Sequence, residues 1–351
     1  SSSAASDVYK RQDPLNNLSM DKIKSLAKRI GYPVILKSSG GGGGRGIRVV
    51  LTENELEENF QSCKREAKAF FNNDEVFMEK YVEKPRHIEF QILGDNYGNI
   101  IHLCERDCSI QRRHQKVIEI APCPTMSDDL RKRMGVAAVA AAKAVGYTNA
   151  GTIEFLLDDY DHFYFMEMNT RIQVEHGVTE EVTGVDLIAR QIRVAAGEIL
   201  DLEQSEIKAR GTAIEVRITA ENAQKGFAPS PGKITGYFPA LGPSVRVDTH
   251  IYANYEIPPF YDSLLAKLIV KGSSYDLAVS KLERALDEFK IEGVITTLPF
   301  LHAISRRRHF RKGFFDTSYL EERLDDILEN TASEDSEIIA AIAAAKLKAA
   351  K

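Results

Sequence analysis

Residues 151–176 read GTIEFLLDDYDHFYFMEMNTRIQVEH. Two β-rich runs, GTIEFLL and FYFMEMN, flank Asp158–Asp161, which is the composition of a tight hairpin. If Asp158 pairs with Phe163, Glu154 falls opposite Glu167, and the period of two puts Asn169 on the same face. Carboxylates opposite one another repel unless a hard cation sits between them, and Mg²⁺ takes such oxygens together with phosphates. The plainer alternative is a pair of solvated acids on an exposed strand. Next along the chain, Arg171, Gln173 and Glu175 alternate in TRIQVEH, which predicts an extended segment with all three on one side. Arg grips a planar oxyanion, Gln donates an amide N–H and Glu accepts a proton.

Upstream, PVILK and IRVV bracket SSGGGGGRG. Gly41-x-Gly43-x-x-Gly46 fits the dinucleotide fingerprint literally, but a strand follows it where a Rossmann turn or P-loop would open a helix. A glycine loop between two strands predicts instead a flap whose backbone N–H groups approach phosphate, with Lys37 and Arg45 as nearby cations. Protein kinases use such a flap, yet neither His-Arg-Asp nor Asp-Phe-Gly follows. Farther on, ERDCSIQRRHQK gathers Arg106, Arg112, Arg113, His114 and Lys116, either as a solvated basic edge or as an anion site. No aromatic interleaving supports nucleic-acid binding.

Around these motifs the chain reads as α+β, its strands mostly in hairpins. A helix runs from an N-cap at Ser19 through Ile23, Leu26, Ala27 and Ile30 to Gly31. Thr52–Glu55 carries a capping-box pattern for a second helix towards Phe71. VFMEKYV is a strand, and residues 86–119 read as paired strands turning at Gly94–Gly98. Ser127 caps an Ala-rich helix, another helix lies near Gly184–Ala196, and an α+β stretch runs from Gly211 to about Leu320. The chain closes on an acidic, then Ala-rich tail. With 351 residues, 43% hydrophobic and 28% charged, it can bury a sizeable core and is no disordered tether. A net charge of −5 argues against a nucleic-acid scaffold, and no apolar run approaches the roughly 20 residues of a membrane span. Four cysteines are too few for a disulfide framework and predict free thiols in a reducing, cytoplasmic setting; Cys104-x3-Cys108 has no matching second pair for zinc.

GYPVILKSSGGGGGRGIRVV, FMEKYVEKPRHIEFQIL, ERDCSIQRRHQKVIE, FMEMNTRIQVEHGVTE, IEVRITAEN, SPGKIT and PPFYDSLLAKLIV closely resemble the biotin carboxylase family of the ATP-grasp superfamily. The resemblance covers about Asp13 to Leu320. It implies an ATP-grasp lid over 13–84, an ATP-grasp core over 85–205 and a biotin carboxylase C-terminal domain over 206–323, between a leader at 1–12 and a tail or linker at 324–351. It implies ATP-dependent carboxylation of biotin by bicarbonate through carboxyphosphate, as one component of an acetyl-CoA, propionyl-CoA or pyruvate carboxylase. It further implies that Lys37, Gly43, Gly44, Glu79, Lys80, Tyr81, Val82, His87, Gln111 and His114 bind ATP. Glu154, Glu167 and Asn169 would hold two Mg²⁺ (or Mn²⁺) ions, the two glutamates also facing the nucleotide. Lys116, Arg171, Gln173 and the Val174 backbone would bind bicarbonate, with Glu175 as general base and Arg217 at the biotin. The implied partners are a biotin carboxyl carrier, a carboxyltransferase and a second copy of the chain.

This chain departs from the family in three places. Gly177 follows His176 where Pro is usual, which predicts a looser loop, and Ile120 replaces a common second Glu. The family's leading domain, ahead of the lid, has no counterpart here, so the chain reads as a fragment. No Met-Lys-Met biotinylation motif occurs. Two alternatives follow: another bicarbonate-phosphorylating ligase such as the carbamoyl phosphate synthetase large chain, or an ATP-binding module without turnover.

Overall fold

The computed structural model describes residues 14–42 and 45–329. The leader, Gly43, Gly44 and the last part of the tail lie outside the described residues. Two compact units emerge, Ser1–Pro85 with Phe155–Met166, and Arg86–Glu154 with Glu167–Lys351.

The first unit holds a three-stranded antiparallel sheet, with β1 (Val34–Gly42) between β2 (Arg45–Val50) and β3 (Val76–Lys80). Helices α1 (Met20–Ile30) and α2 (Glu53–Phe71) accompany it. Alternate strand residues Val34, Leu36, Val76 and Met78 meet Ile23, Leu26, Leu56 and Phe60 from the helices. Each buried Leu, Ile or Phe there contributes about 1.5–3 kcal/mol. Gly31 ends α1 at φ 84°, a left-handed turn that glycine adopts without steric cost. The Thr52–Glu55 signal marks the start of α2 correctly, although the Thr52 side chain makes no capping hydrogen bond.

The second unit is built on an eight-stranded sheet, of whose strands Phe155–Leu157 and Phe163–Met166 are counted with the first unit. In chain order its strands are β4 (Arg86–Gly94), β5 (Ile100–Arg112), β6 (Gln115–Ala121), β7 (Asn149–Leu157), β8 (Phe163–Asn169), β9 (Thr212–Thr219), β10 (Val245–Thr249) and β11 (Leu264–Gly272). Across the sheet they run β10-β11-β9-β6-β5-β4-β7-β8. At the β4–β5 turn, Asp95 Oδ1 accepts from the N–H groups of Tyr97 and Asn99, 2.9 and 3.0 Å away. Helix α3 (Asp128–Ala144) begins under Ser127, whose hydroxyl accepts from Leu130 N–H. Two shorter helices, α4 (His176–Thr183) and α5 (Leu187–Ala195), follow β8.

Period-two alternation divides β6, β9 and β11 into two chemistries. Ile118, Ile120, Ile214, Val216, Ile218, Ala266, Leu268 and Val270 enter a core closed by α6 (Tyr275–Glu288), α7 (Leu298–Ser305) and α8 (Arg308–Arg311). The opposite face carries Glu119, Glu215, Arg217 and Lys267, and α4 packs there by Val178 and Val182 against Ala121, Ala213 and Ile269. A further helical run covers 319–329, and its residues 324–329 are the described part of the predicted tail.

Where β11 meets α6, Gly272 has no space for a side chain. A Cβ would lie 2.3 Å from the Ala278 backbone nitrogen and 2.8 Å from Leu277 C and Ser274 O. Backbone atoms cannot retreat, so Gly272→Ala is expected to cost about 1–3 kcal/mol, read as a lower urea midpoint at unchanged slope.

Candidate functional site

The second unit gathers its polar residues from strands that otherwise look apolar. On β4, His87, Glu89 and Gln91 occur at every second position and all are buried. Across from Glu89 in the antiparallel register stands Arg106 of β5, with none of its surface exposed. Its Nε donates to Glu89 Oε1 (2.5 Å), its Nη1 to Gln91 Oε1 (2.8 Å) and Thr179 Oγ1 (2.9 Å), and its Nη2 to Gln173 Oε1 (3.2 Å). The guanidinium therefore ties two strands to α4 and to the segment leading into it.

Lys116 forms the second node. Its Nζ donates to Glu89 Oε2 (2.5 Å), Glu154 Oε1 (3.1 Å) and Glu175 Oε1 (2.6 Å). Burial alone would lower the lysine's pKa, but Glu89 and the neighbouring acids reverse that and raise it. Burial likewise raises the pKa of Glu89, and the cations Arg106 and Lys116 outweigh it, so this carboxyl sits below the usual range. Arg217 completes the group, donating from Nε to Glu119 Oε1 (2.7 Å) and from Nη2 to Glu175 Oε2 (2.9 Å). Both oxygens of Glu175 are thus held by cations at the wall of a cavity of about 860 Å³, lined also by His114, Arg171, Gln173 and Tyr261.

The carboxylate hairpin converges as the sequence predicts. Asn169 Nδ2 lies 2.9 Å from Glu154 Oε1 and 3.2 Å from Glu167 Oε1. His87 Nε2 is 2.9 Å from Glu154 Oε2, and Gln173 Nε2 donates to Glu154 Oε1 at 3.0 Å. Burial pushes Glu154 up, but the hydrogen bond from His87 and the charge of Lys116 prevail and hold it well below the carboxylate range. Two carboxylates and an amide oxygen within reach of one point fit a hard divalent cation, once the amide turns its oxygen inward.

In three places the structure corrects the sequence reading. TRIQVEH is not a strand: Arg171 is a bend and Val174–Glu175 a turn, with His176 N–H donating to Gln173 O at 3.3 Å, and α4 starts at His176. Gln173 and Glu175 are buried while Arg171 is exposed, yet all three reach the same cavity. Gly177 lies inside the first turn of α4 rather than in a loop, and is buried. The basic run also divides: Arg112, His114 and Lys116 reach the cavity, while Arg106 and Arg113 do not. Arg106 is internal, Arg112 lies 4.0 Å over the Phe227 ring, and Arg113 is exposed. His114 and Arg113 form a two-residue turn between Arg112 and Gln115, both at positive φ (64° and 49°), which sets His114 at the cavity. Gln111 pairs with Lys116 across the same hairpin.

Val174 offers its carbonyl to Lys267 Nζ at 2.8 Å. Lys37 forms an ion pair with Glu79 in the first unit. Next to them, Lys80 Nζ donates to the carbonyls of Gly31 (2.9 Å) and Tyr32 (3.1 Å), Tyr81 N–H donates to Pro33 O (3.1 Å), and Val82 is buried. Glu89, Thr179 and Thr152, whose hydroxyl donates to Gln173 Oε1 at 2.7 Å, are members of the constellation that sequence reasoning did not assign, and Arg106 was read only as part of the basic run. The signal for Glu89 was the polar half of HIEFQIL. The four cysteines are buried and free; burial pushes Cys63 and Cys104 up to about 11 and Cys123 to about 12.

Residues 6–203 match the family model described as carbamoyl-phosphate synthase L chain, ATP binding domain, which places the chain among ATP-grasp proteins. Residues 215–322 match the biotin carboxylase C-terminal domain. The chain belongs to the biotin carboxylase family. It is 56% identical over 297 residues to a biotin carboxylase of Nostoc sp., covering 85% of this chain and 66% of that protein. To a pyruvate carboxylase subunit of Methanothermobacter thermautotrophicus it is 53% identical over 322 residues, covering 91% and 65%. Among solved structures, the biotin carboxylase domain dimer of Hydrogenobacter thermophilus 2-oxoglutarate carboxylase, in complex with MgADP, ADP and bicarbonate, matches with a TM-score of 0.78 and 50% identity, covering 89% of this chain and 68% of that one. The chain thus spans slightly less than two thirds of the first two relatives. The second domain match and these relatives separate it from the carbamoyl phosphate synthetase alternative.

Proposed function

We propose that this chain carries out ATP-dependent carboxylation of biotin by bicarbonate, the first half-reaction of a biotin-dependent carboxylase. The observation that supports this best is the gripping of Glu175 by Lys116 and Arg217 at the cavity wall, 2.6 and 2.9 Å away. In this reading Arg171, Gln173, Lys116 and the Val174 backbone bind bicarbonate. Glu175 takes the bicarbonate proton as a bicarbonate oxygen accepts the terminal phosphoryl group of ATP, leaving ADP and carboxyphosphate. The C–O bond of carboxyphosphate then breaks to give CO₂ and phosphate, the phosphate takes the N1′ proton of biotin, and N1′ attacks CO₂ to form carboxybiotin. Lys116 stabilises the carboxyphosphate charge and Arg217 the biotin enolate, each donor being fixed before the charge develops.

Lys37, Gly43, Gly44 and residues Glu79–Val82 are the nucleotide contacts proposed on the first unit, and His87, Gln111 and His114 those on the second. Glu154, Glu167 and Asn169 would hold Mg²⁺ or Mn²⁺, which when bound neutralises phosphate charge. We place the domain boundaries at 84/85 and 205/206, with the tail from 324. The proposed partners are a biotin carboxyl carrier, a carboxyltransferase and a second copy of this chain. No helix among the described residues is long and apolar enough to cross a membrane, and buried free thiols support a reducing, cytoplasmic setting.

The test is ADP release from MgATP with bicarbonate, with and without free biotin. Biotin should accelerate release and omission of bicarbonate should abolish it. Nucleotide binding with release indifferent to biotin would leave an ATP-binding module and overturn turnover by this chain.

A further inference from the structure

Behind Arg217 lies a pair of acids to which the reaction above assigns no role. Glu119 of β6 and Glu215 of β9 are direct register partners in the antiparallel sheet, and neither exposes any surface. Glu119 Oε1 accepts from Arg217, but Glu119 Oε2 and both oxygens of Glu215 have no hydrogen-bond partner.

The surrounding cations are engaged elsewhere. Lys267, register partner of Arg217 on β11, donates to Val174 O (2.8 Å) and pairs with Asp248 (3.2 Å). Arg246 of β10 pairs with Glu180 of α4 and with Asp248, at 2.8 Å each. The groups acting on Glu119 are Arg217, Glu175 and Lys116; those acting on Glu215 are Glu119, Lys267, Arg217 and Glu175. From α4 the facing residue is Gly177, which brings no charge; a Cβ there would stand 3.3 Å from Glu215 Oε2.

An ionised carboxylate with both oxygens buried and unpartnered, opposite a second carboxylate, is not a stable arrangement; a proton removes the conflict. We propose that Glu215 is a positioning residue that holds a proton and so leaves Glu119 as the single anion behind Arg217, which keeps the guanidinium bridged to Glu175. A second negative charge in the sheet would draw Arg217 away from Glu175 and the cavity. Burial, with Glu119 opposite, raises Glu215 well above the carboxylate range, and burial against Arg217 brings Glu119 up to about 7. The role of Arg217 in this inference rests on the proposed carboxylation, whereas the proton does not.

The sign follows from linkage. A carboxyl whose pKa is raised by folding costs stability as pH climbs above its unfolded value near 4.3, until the folded group ionises. Glu215→Gln keeps the shape and removes that cost. Its folded-to-unfolded ratio relative to the unaltered chain should rise about tenfold per pH unit through this window, measured by urea unfolding from pH 5 to 8. The infrared carbonyl band of a buried protonated carboxyl should weaken in the same variant. The alkaline fall of biotin-stimulated ADP release should move to higher pH in Glu215→Gln. A stability difference independent of pH together with an unchanged infrared band overturns the proposal, as does an unmoved alkaline limb in an active enzyme. Were biotin stimulation absent from every variant while the stability and infrared changes appeared, the carboxylation reading would fail and the proton assignment would stand.

Discussion

Replacing Arg106 by Met is expected to cost about 3–5 kcal/mol of folding free energy, the range for removing one partner of a buried ion pair. The side chain has no exposed surface and makes four hydrogen bonds to Glu89, Gln91, Thr179 and Gln173. Met fills most of the space but leaves Glu89 buried with Lys116 as its remaining hydrogen-bonded cation, leaves the amide oxygen of Gln91 short of a donor, and leaves that of Gln173 with the Thr152 hydroxyl alone. Arg106→Lys keeps the charge without the fork, so it should fall between the two. Equilibrium urea unfolding reads both variants. A loss below about 1 kcal/mol for the Met variant would mean that the network rearranges freely and that Arg106 does not organise the site.

Glu175→Gln is expected to lower carboxylation by roughly 10²- to 10⁴-fold while nucleotide affinity stays as it was, the usual worth of a general base. The fold should tolerate the change because each cation on Glu175 has another acid. Lys116 keeps Glu89 and Glu154, and Arg217 keeps Glu119. The amide preserves the shape and removes the capacity to take a proton. Retained turnover at equal nucleotide affinity would refute the assignment of Glu175 as base.

How far the sequence disclosed this site depends on the range of the interactions. Glu154, Glu167 and Asn169 were legible because a short hairpin and a period of two fix their geometry within sixteen residues of chain. Helix α1 was legible from its ends, Ser19 and Gly31. The segment 170–175 was misread because alternating polar residues look the same in a strand and in a turn that feeds a helix; the bond from His176 N–H to Gln173 O decides between them and leaves no composition signal. Arg106 was grouped with Arg112 and Arg113 by proximity in sequence, while its ion-pair partner Glu89 lies on the neighbouring strand. Glu119 and Glu215 stood alone inside apolar runs, VIEI and AIEV, and only the pairing of β6 with β9 sets them opposite each other. Cross-strand partners are the part that local periodicity cannot supply.

The central claim is that the residues around Glu175 move a carboxyl group from bicarbonate to biotin at the expense of ATP. Isotopically labelled bicarbonate, MgATP and free biotin, incubated with the chain and followed by detection of carboxybiotin, test it directly. Label on biotin that requires ATP and is lost in Glu175→Gln is the predicted result. ATP cleavage with no label reaching biotin, or labelling equal in the two proteins, would contradict it.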